Sequence, residues 1–193
     1  RLLEERTEVL QLDSRTDFRM EKIGEDAVYF TPLGPEARAA MDGLFARMTG
    51  GQSARPTTLT VHGRQVAIPA AAMGVARFSF ADLCARPLGA SDYLAVARAF
   101  HTVFVDDVPR LHPDQRNEAR RFITLIDVLY ERHRRLVASA AASPDTLYHA
   151  ETGTETFEFA RTASRLHEMG SRDYLATPVS DAVSGQTTGL AET

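Results

Sequence analysis

The 193-residue sequence predicts an α/β fold that contains a parallel β-α-β unit. An apolar, β-branched run stops at two aspartates and is typical of a buried strand over residues 102–106. Apolar residues at helical spacing predict a helix over residues 114–132, and a second apolar run predicts a strand over residues 136–140. Strand, helix and strand at this spacing imply a right-handed crossover between parallel strands.

The segment before residue 75 is predicted to form a smaller α+β part of the molecule. Pro35 suits the first position of a helix, and apolar residues follow it at helical spacing over residues 35–48, before Gly50 and Gly51. Alternating apolar and polar residues around Gly63 predict a β-hairpin over residues 58–69. Short apolar runs at residues 9–12 and 29–30 suggest two further strand segments.

The rest of the sequence completes the predicted organisation. Ser79 and Ser91 are expected to cap short helices, the second running to residue 100, and a last helix covers about residues 157–169. Small polar residues dominate from residue 177 onward, which predicts a disordered tail. The sequence therefore divides into residues 1–74, residues 75–176, which hold the β-α-β unit, and the tail 177–193.

Charge and composition exclude several classes of protein. The formal net charge is −4, and a nucleic-acid-binding surface needs a basic field, so we expect no nucleic-acid partner. No apolar window is long enough to span a bilayer, and Cys84 is the single cysteine, so no internal disulfide can form. These features predict a cytoplasmic protein. Because residue 1 is not Met, we expect the chain to be part of a longer one.

Lysine is the scarcest basic residue, since Lys22 is the single lysine among 22 lysine and arginine residues. A P-loop requires G-x-x-x-x-G-K-[ST], because its lysine reaches the β- and γ-phosphates of the nucleotide. Lys22 lacks this context, and the Gly50-Gly51 pair is not followed by lysine. The sequence alone therefore cannot build a P-loop.

The carboxyl edge of the predicted parallel sheet carries Asp106, Asp107, Ser139 and Ser143, and ligands of open parallel sheets bind at this edge. A strand that ends in an acid can hold Mg²⁺ or a hydrolytic water in nucleotide hydrolases. Because neighbouring strand residues face opposite sides, at most one of the two aspartates points at a given ligand. The alternative is that one aspartate is solvated and the other bonds backbone amides in the turn before Pro109.

Two arginines on the last predicted helix form a second candidate group. Arg161 and Arg165 lie one turn apart and could contact a phosphate, including that of a nucleotide on a neighbouring subunit. The alternative is an exposed helix face on which Glu158 and Glu168 compensate the positive charge of the two arginines. The six histidines lack the spacing of a zinc site, and Cys84 is expected in the core.

Three segments resemble the C-terminal part of the ZapE cell-division ATPase family, whose mitochondrial relatives are the AFG-type, lactation-elevated ATPases. They read VARFSFADLCARPLG at residues 75–89, FHTVFVDDVP at residues 100–109 and NEARRFITLID at residues 117–127. Shorter matches at residues 12–13, 17–19, 28–34 and 157–166 extend the resemblance over residues 1–176.

The resemblance implies a P-loop NTPase-like, three-layer αβα fold of AAA+ type that binds ATP and Mg²⁺, with its Walker A motif before residue 1. It implies a bacterial cytoplasmic protein that remodels the FtsZ division ring, or a mitochondrial protein for the organellar relatives, and it allows a homo-oligomer. The fragment alone is expected to be inactive. Candidate residues are Asp106 and Asp107 for Mg²⁺ or water (Asp107 as the metal ligand), Arg161 and Arg165 for phosphate, and Ser139 and Ser143 for nucleotide.

Two hypotheses about this half of the protein remain open from the sequence. In the first, it completes the ATPase sheet or is a degenerate copy of it, and its acids and arginines contribute to the nucleotide site. In the second, it is a non-catalytic protein-interaction module with an NTPase-like sheet, and it binds a division protein or a neighbouring subunit through the hairpin around Gly63 and the helix that begins at Pro35.

Overall fold

The computed structural model describes residues 27–149 and 154–179. Within this part of the chain, six strands form one mixed sheet in the order β1-β6-β5-β4-β3-β2. Strands β1, β6, β5 and β4 are parallel neighbours, whereas β3 pairs antiparallel with β4 and β2 pairs antiparallel with β3. The predicted α/β class is confirmed. The strands are β1 Tyr29–Phe30, β2 Arg55–Val61, β3 Arg64–Ala72, β4 Val75–Ser79, β5 Thr102–Val108 and β6 Arg135–Ala140.

Helices cover both faces of this sheet. Helix α1 packs on β1 and β6 on one face, and α2 and α3 pack together on the other face, where α4 lies against α3. A single π-helical turn, Ala81–Ala85, precedes α2. The layering is therefore helix, sheet and helix. The helices are α1 Pro35–Met48, α2 Ala90–Ala99, α3 Arg116–Glu131, α4 Thr154–Met169 and α5 Arg172–Ala176.

The predicted β-α-β unit is β5, α3 and β6. Val103 pairs with Leu136 and Val105 with Ala138 in parallel register. Strand β5 continues two residues beyond the predicted end at residue 106, because residues 106 and 107 form a bulge after which Val108 pairs again. The predicted unit is confirmed, with these small changes at its boundaries.

The hairpin and the first helix also form where the sequence predicts them. Strands β2 and β3 are joined by His62 and Gly63, whose φ angles of +47° and +77° define a tight turn that suits the twist of the strands. Beside this turn Val61 pairs with Arg64, and Leu59 pairs with Val66. The hairpin is longer than predicted, and it belongs to the same sheet as the β-α-β unit.

One strand was not predicted, and one local prediction is wrong. Strand β4 was not expected, because its short sequence carries Arg77 at the centre. Ser91 does not cap α2: the helix begins at Ala90, two residues earlier than a cap at Ser91 implies, and the carboxylate of Asp92 accepts a hydrogen bond of 2.9 Å from the Gly89 amide. Asp92 thus satisfies the amide of the N-cap residue, whereas a capping hydroxyl at Ser91 would have accepted from an amide two or three residues further along the chain. Ser79 bonds as predicted, accepting a 3.2 Å hydrogen bond from the Asp82 amide.

The core has two parts, one on each face of the sheet. Val75, Phe104 and Val137 are buried against Met41 and Leu44 of α1. Their neighbours in sequence point to the opposite face and pack against α2 and α3, as the alternation of side chains along a strand requires. Cys84 lies in this second part, as predicted, and burial raises the pKa of its thiol far above the ordinary value, so the thiol stays protonated and inert.

Several predictions lie outside the described residues or stay untested. The strand predicted at residues 9–12, Lys22 and most of the predicted tail fall outside the described ranges. The division at residue 74 stays a prediction; strands from both sides of it, β3 and β4, pair in one sheet. None of the helices in the described ranges is long and apolar enough to cross a membrane.

Candidate functional site

The β5 bulge separates the two candidate aspartates at the carboxyl edge of the sheet. Asp107 has a φ of +59°, a left-handed conformation that aspartate adopts more readily than most residues. Its amide donates a 3.0 Å hydrogen bond to Ser139 Oγ, which holds the bulge against β6. The bulge therefore aims the two carboxylates in different directions, as bulges near binding sites often do.

Asp106 is bound by an arginine that the sequence analysis did not single out. Arg77, on β4, donates from Nε to Asp106 Oδ2 at 2.6 Å and from a terminal nitrogen to Oδ1 at 2.9 Å. The same guanidinium lies 2.7 Å from Asp42 Oδ1 and 5.5 Å from the centre of the Phe45 ring, both on α1. The hydrogen bond with Asp106 raises the pKa of Arg77, and burial opposes this increase. Both carboxylate oxygens of Asp106 are thus engaged by protein.

Asp107 has the freer carboxylate of the two. Its side chain is 57% exposed, and the Arg38 guanidinium of α1 is 3.9 Å away. An exposed pair at this distance contributes little to stability. The sequence left open that one aspartate is solvated and the other bonds backbone amides. Asp107 is indeed solvated, but Asp106 bonds the Arg77 side chain rather than backbone amides.

The candidate serines serve the local structure. The hydroxyl of Ser139, which is buried, accepts the hydrogen bond from the Asp107 amide. The Ser143 hydroxyl lies 2.9 Å from Thr146 Oγ1 at the start of the short 3₁₀ turn Pro144–Thr146. Their predicted contact with nucleotide therefore stays a prediction.

The two candidate arginines lie on the other layer of the molecule. Arg161 donates to Asp127 Oδ2 of α3 at 2.8 Å, and Arg165 bonds the other oxygen of the same carboxylate. Arg165 also lies over the Tyr130 ring, 4.8 Å from its centre. The predicted compensation by Glu158 and Glu168 is replaced by Asp127, which comes from another helix. Because Arg77 and Asp106 lie on the α1 face, the structure does not bring the arginines of α4 together with them.

A cavity of about 630 Å³ opens where β1 ends and α1 begins. Its volume suits a small ligand. Among the residues that the structure describes, its lining holds one charged side chain, the Glu36 carboxylate, which repels phosphate. The lining residues are Tyr29, Phe30, Thr31, Pro32, Leu33, Gly34, Pro35, Glu36, Ala37 and Ala40.

The residues do not form a complete Mg²⁺ site. In residues 27–149 and 154–179, no three histidine, cysteine or acidic side chains come close enough to hold a metal ion. Asp106 is neutralised by Arg77, so Asp107 alone could offer an oxygen. Magnesium bound through one carboxylate needs its other ligands from phosphates and water. A Mg²⁺ ion at Asp107 would therefore depend on further groups beyond the described residues.

The fold is of the α/β class, with parallel strands, helices on both faces and acidic residues at the carboxyl edge. The model of the AFG1-like ATPase family matches residues 1–178, and the chain belongs to that family. It is 37% identical over 177 residues to the cell division protein ZapE of Escherichia coli K12, covering 90% of this chain and 46% of ZapE. It is 37% identical over 175 residues to lactation elevated protein 1 homolog B of Danio rerio, covering 89% of this chain and 34% of that protein.

The chain spans about half the length of the bacterial relative and a third of the fish relative. No solved structure matches it. The resemblance described from the sequence is confirmed, and the family is one of ATPases.

Arg77 is the residue that sequence reasoning missed at this edge. A single arginine inside a short apolar stretch that also holds Val75 and Phe78 could have indicated an ion pair, because a half-buried charge needs an opposite charge close to it. Both partners are distant from Arg77 in sequence: the register of β4 and β5 brings Asp106 close, and the packing of α1 on the sheet brings Asp42 close.

Proposed function

We propose that this chain is the C-terminal portion of a P-loop ATPase that couples ATP hydrolysis to remodelling of a protein partner in cell division. The observation that carries the proposal is the 37% identity with the cell division protein ZapE over 177 residues. ATP and Mg²⁺ are bound by a P-loop in a segment that precedes this chain, because these 193 residues contain no G-x-x-x-x-G-K-[ST] motif. The partner is the FtsZ ring, and the site of action is the cytoplasmic face of the division site.

Within this portion, Asp107 is the best candidate for a contribution to the nucleotide site. Its carboxylate is exposed at the carboxyl edge, where parallel sheets bind ligands, and its pairing with Arg38 is loose. Asp106 acts indirectly, since it holds Arg77 and so fixes β4, β5 and α1 relative to one another. Arg161 and Arg165 contact phosphate only if a neighbouring subunit displaces them from Asp127.

ATP turnover by the intact protein, compared with this chain alone, tests the proposal. The intact protein should hydrolyse ATP, and the 193-residue chain should neither hydrolyse nor bind it. Asp107→Asn should lower turnover by about tenfold, since asparagine tolerates the left-handed conformation and removes only the charge. Asp114→Asn, at another exposed acid, is the matched control. Unchanged turnover in both Asp107→Asn and Arg161→Ala would remove these residues from the site.

A non-catalytic interaction module is the second candidate function. The observation that favours it is the ion pairing of Asp106, Arg161 and Arg165, which leaves Asp107 as the one loosely paired residue among the four charged candidates. Pelleting of the intact protein with polymerised FtsZ, with and without ATP, separates the two candidates. Binding that is the same with and without ATP, and that persists when the P-loop lysine is replaced, would favour the interaction module. Release that depends on ATP would favour remodelling.

A further inference from the structure

The last strand of the sheet, β2, has an outer edge that pairs with no other strand in the described part of the chain. The Val61–Arg64 pair closes a two-residue turn, and such a pair directs its backbone groups at each other. Because this orientation alternates, Leu59 also bonds toward β3, whereas Thr58 and Thr60 direct their amides and carbonyls outward. The edge therefore offers two N–H and two C=O groups in the spacing of a strand.

Beyond the first two residues of β2, this edge lacks the usual protection against pairing. Natural edge strands carry charges, prolines or bulges that discourage a further strand. Here Pro56 and a bulge lie at the start of β2, and residues 57–61 contain three threonines, a leucine and a valine with no charge. Threonine and valine favour extended backbone. The opposite edge, β1, is only two residues long, so β2 is the better acceptor of a strand.

The hairpin is held rigidly in place. The Arg64 guanidinium donates hydrogen bonds of 3.0 Å to both oxygens of Asp92, which is fully buried in the first turn of α2. Asp92 also accepts from the Gly89 amide, so the carboxylate is fixed on two sides. A preorganised edge loses less conformational entropy when it accepts a strand.

The charge of the hairpin indicates which kind of strand would pair with the outer edge of β2. Residues 55–72, which form the hairpin, contain two arginines and no aspartate or glutamate, although the whole chain has a net charge of −4. Arg55, at the start of β2, is exposed, and Arg64 is 57% exposed despite its partner. A second copy of β2 would bring arginine against arginine, whereas an acidic segment would find opposite charge.

We propose that the outer edge of β2 binds an extended, acid-bearing segment of a partner protein as an additional strand. The backbone of Thr58 and Thr60 supplies the hydrogen bonds, and Arg55 supplies charge complementarity. This inference deepens the partner-binding role proposed above and rests on it. Its test needs neither ATP nor the rest of the protein, so its outcome is independent of ATPase activity.

Amide hydrogen exchange of the 193-residue chain, read residue by residue by NMR, tests the edge directly. In the free chain the amides of Thr58 and Thr60 should exchange fast and that of Leu59 slowly. The blocked hexapeptide Val-Glu-Val-Glu-Val-Glu should slow Thr58 and Thr60 by about tenfold, and Val-Lys-Val-Lys-Val-Lys should not. No protection by either peptide, equal protection by both, or protection that rises with protein concentration alone would overturn the proposal.

Two pairs of variants test separately the backbone hydrogen bonds and the charge complementarity. Thr58→Pro removes an outward N–H that β3 does not use and should weaken binding of the acidic peptide about tenfold, whereas Thr58→Ala should leave it unchanged. Arg55→Glu should weaken it about fivefold, and Arg172→Glu, on α5, should have no effect. Arg55→Glu changes only an exposed side chain, so it tests the proposal even if Thr58→Pro does not fold. Equal affinity in all four variants would contradict it.

Discussion

At the scale of single residues, Arg77 joins three elements through one guanidinium. It holds β4 to β5 through Asp106 and reaches α1 through Asp42 and the Phe45 ring. Asp106 is only 20% exposed, so removal of its partner leaves a largely buried carboxylate without compensation. The fork geometry of arginine matters as well, because lysine cannot make two parallel hydrogen bonds to one carboxylate.

We therefore expect Arg77→Met to lower the free energy of unfolding by about 2 kcal/mol and Arg77→Lys by about half as much. Urea denaturation followed by circular dichroism measures both. Arg38→Ala serves as the control, since its 3.9 Å pairing with Asp107 is exposed, and it should cost less than about 0.5 kcal/mol. Equal losses for Arg77→Met and Arg38→Ala would show that the buried network contributes nothing.

His101 is a second residue with a structural role, at the amino edge of the sheet. Its Nδ1 lies 2.8 Å from Thr102 Oγ1, and its Nε2 lies 2.9 Å from the Met73 carbonyl, so the neutral ring with hydrogen on Nε2 satisfies both partners. The ring also covers Gly74, where an added Cβ would come within 2.6 Å of it. Burial lowers the pKa of His101, and the nearby Arg135 and Arg134 lower it further.

Because the pKa of His101 is lower in the folded chain than its ordinary value of about 6.5, the unfolded chain binds more protons in this interval. The contribution of His101 to stability is therefore present above about pH 6.5 and decreases as the pH falls toward the folded pKa. Urea denaturation at pH 7.5 and pH 5.5 should show a smaller loss of stability for His101→Gln than for the wild type. A loss at least as large in the variant would contradict this assignment.

At the scale of elements, α4 is attached to α3 by a compact ionic contact. Arg161 and Arg165 share the carboxylate of Asp127, and Arg165 packs over Tyr130. The aromatic rings of Phe122 and Phe159 stack nearby with centres 6.2 Å apart, which adds an apolar contact between the same two helices. Replacement of Asp127 removes the acid that the two arginines share and leaves the apolar contact in place.

Asp127→Ala should loosen α4, because two arginines would then face each other without their common acid. Mass-spectrometric hydrogen exchange should show peptides within residues 157–169 exchanging about fivefold faster, with α1 unchanged. Asp114→Ala, which removes an exposed acid outside this contact, is the control. Unchanged exchange in α4 would mean that the apolar contact alone holds the helix.

The elements also show which parts of the fold a sequence can predict. The β-α-β unit and α1 follow from apolar periodicity, and the hairpin follows from a turn with Gly63, since each signal is local. Strand β4 escaped prediction because its central Arg77 is neutralised by one acid that the sheet register brings close, Asp106, and by another on α1, Asp42. The same reason applies to the site: Asp106 and Asp107 were recognisable as strand-end acids, but nothing near them in sequence reveals that Arg77 engages one of them and leaves the other solvated.

At the scale of the whole molecule, the described residues form one sheet with an apolar core on each of its two faces. Strands β3 and β4 pair across residue 74, and Arg64 on the hairpin bonds the buried Asp92 of α2. The hairpin cannot separate from the β-α-β unit without exposing apolar side chains of both, because they share one core. Such shared burial is the physical basis of cooperative unfolding.

We expect the chain to unfold in one transition, with far-ultraviolet circular dichroism, the near-ultraviolet signal of its tyrosines and calorimetry giving the same midpoint. Asp92→Asn should lower the free energy of unfolding by about 2 kcal/mol, because it removes the charge that binds Arg64, and all three midpoints should move together. If the hairpin were an independent unit, Asp92→Asn would instead split the transition in two. Coincident midpoints in this variant therefore distinguish one cooperative domain from two segments that merely touch.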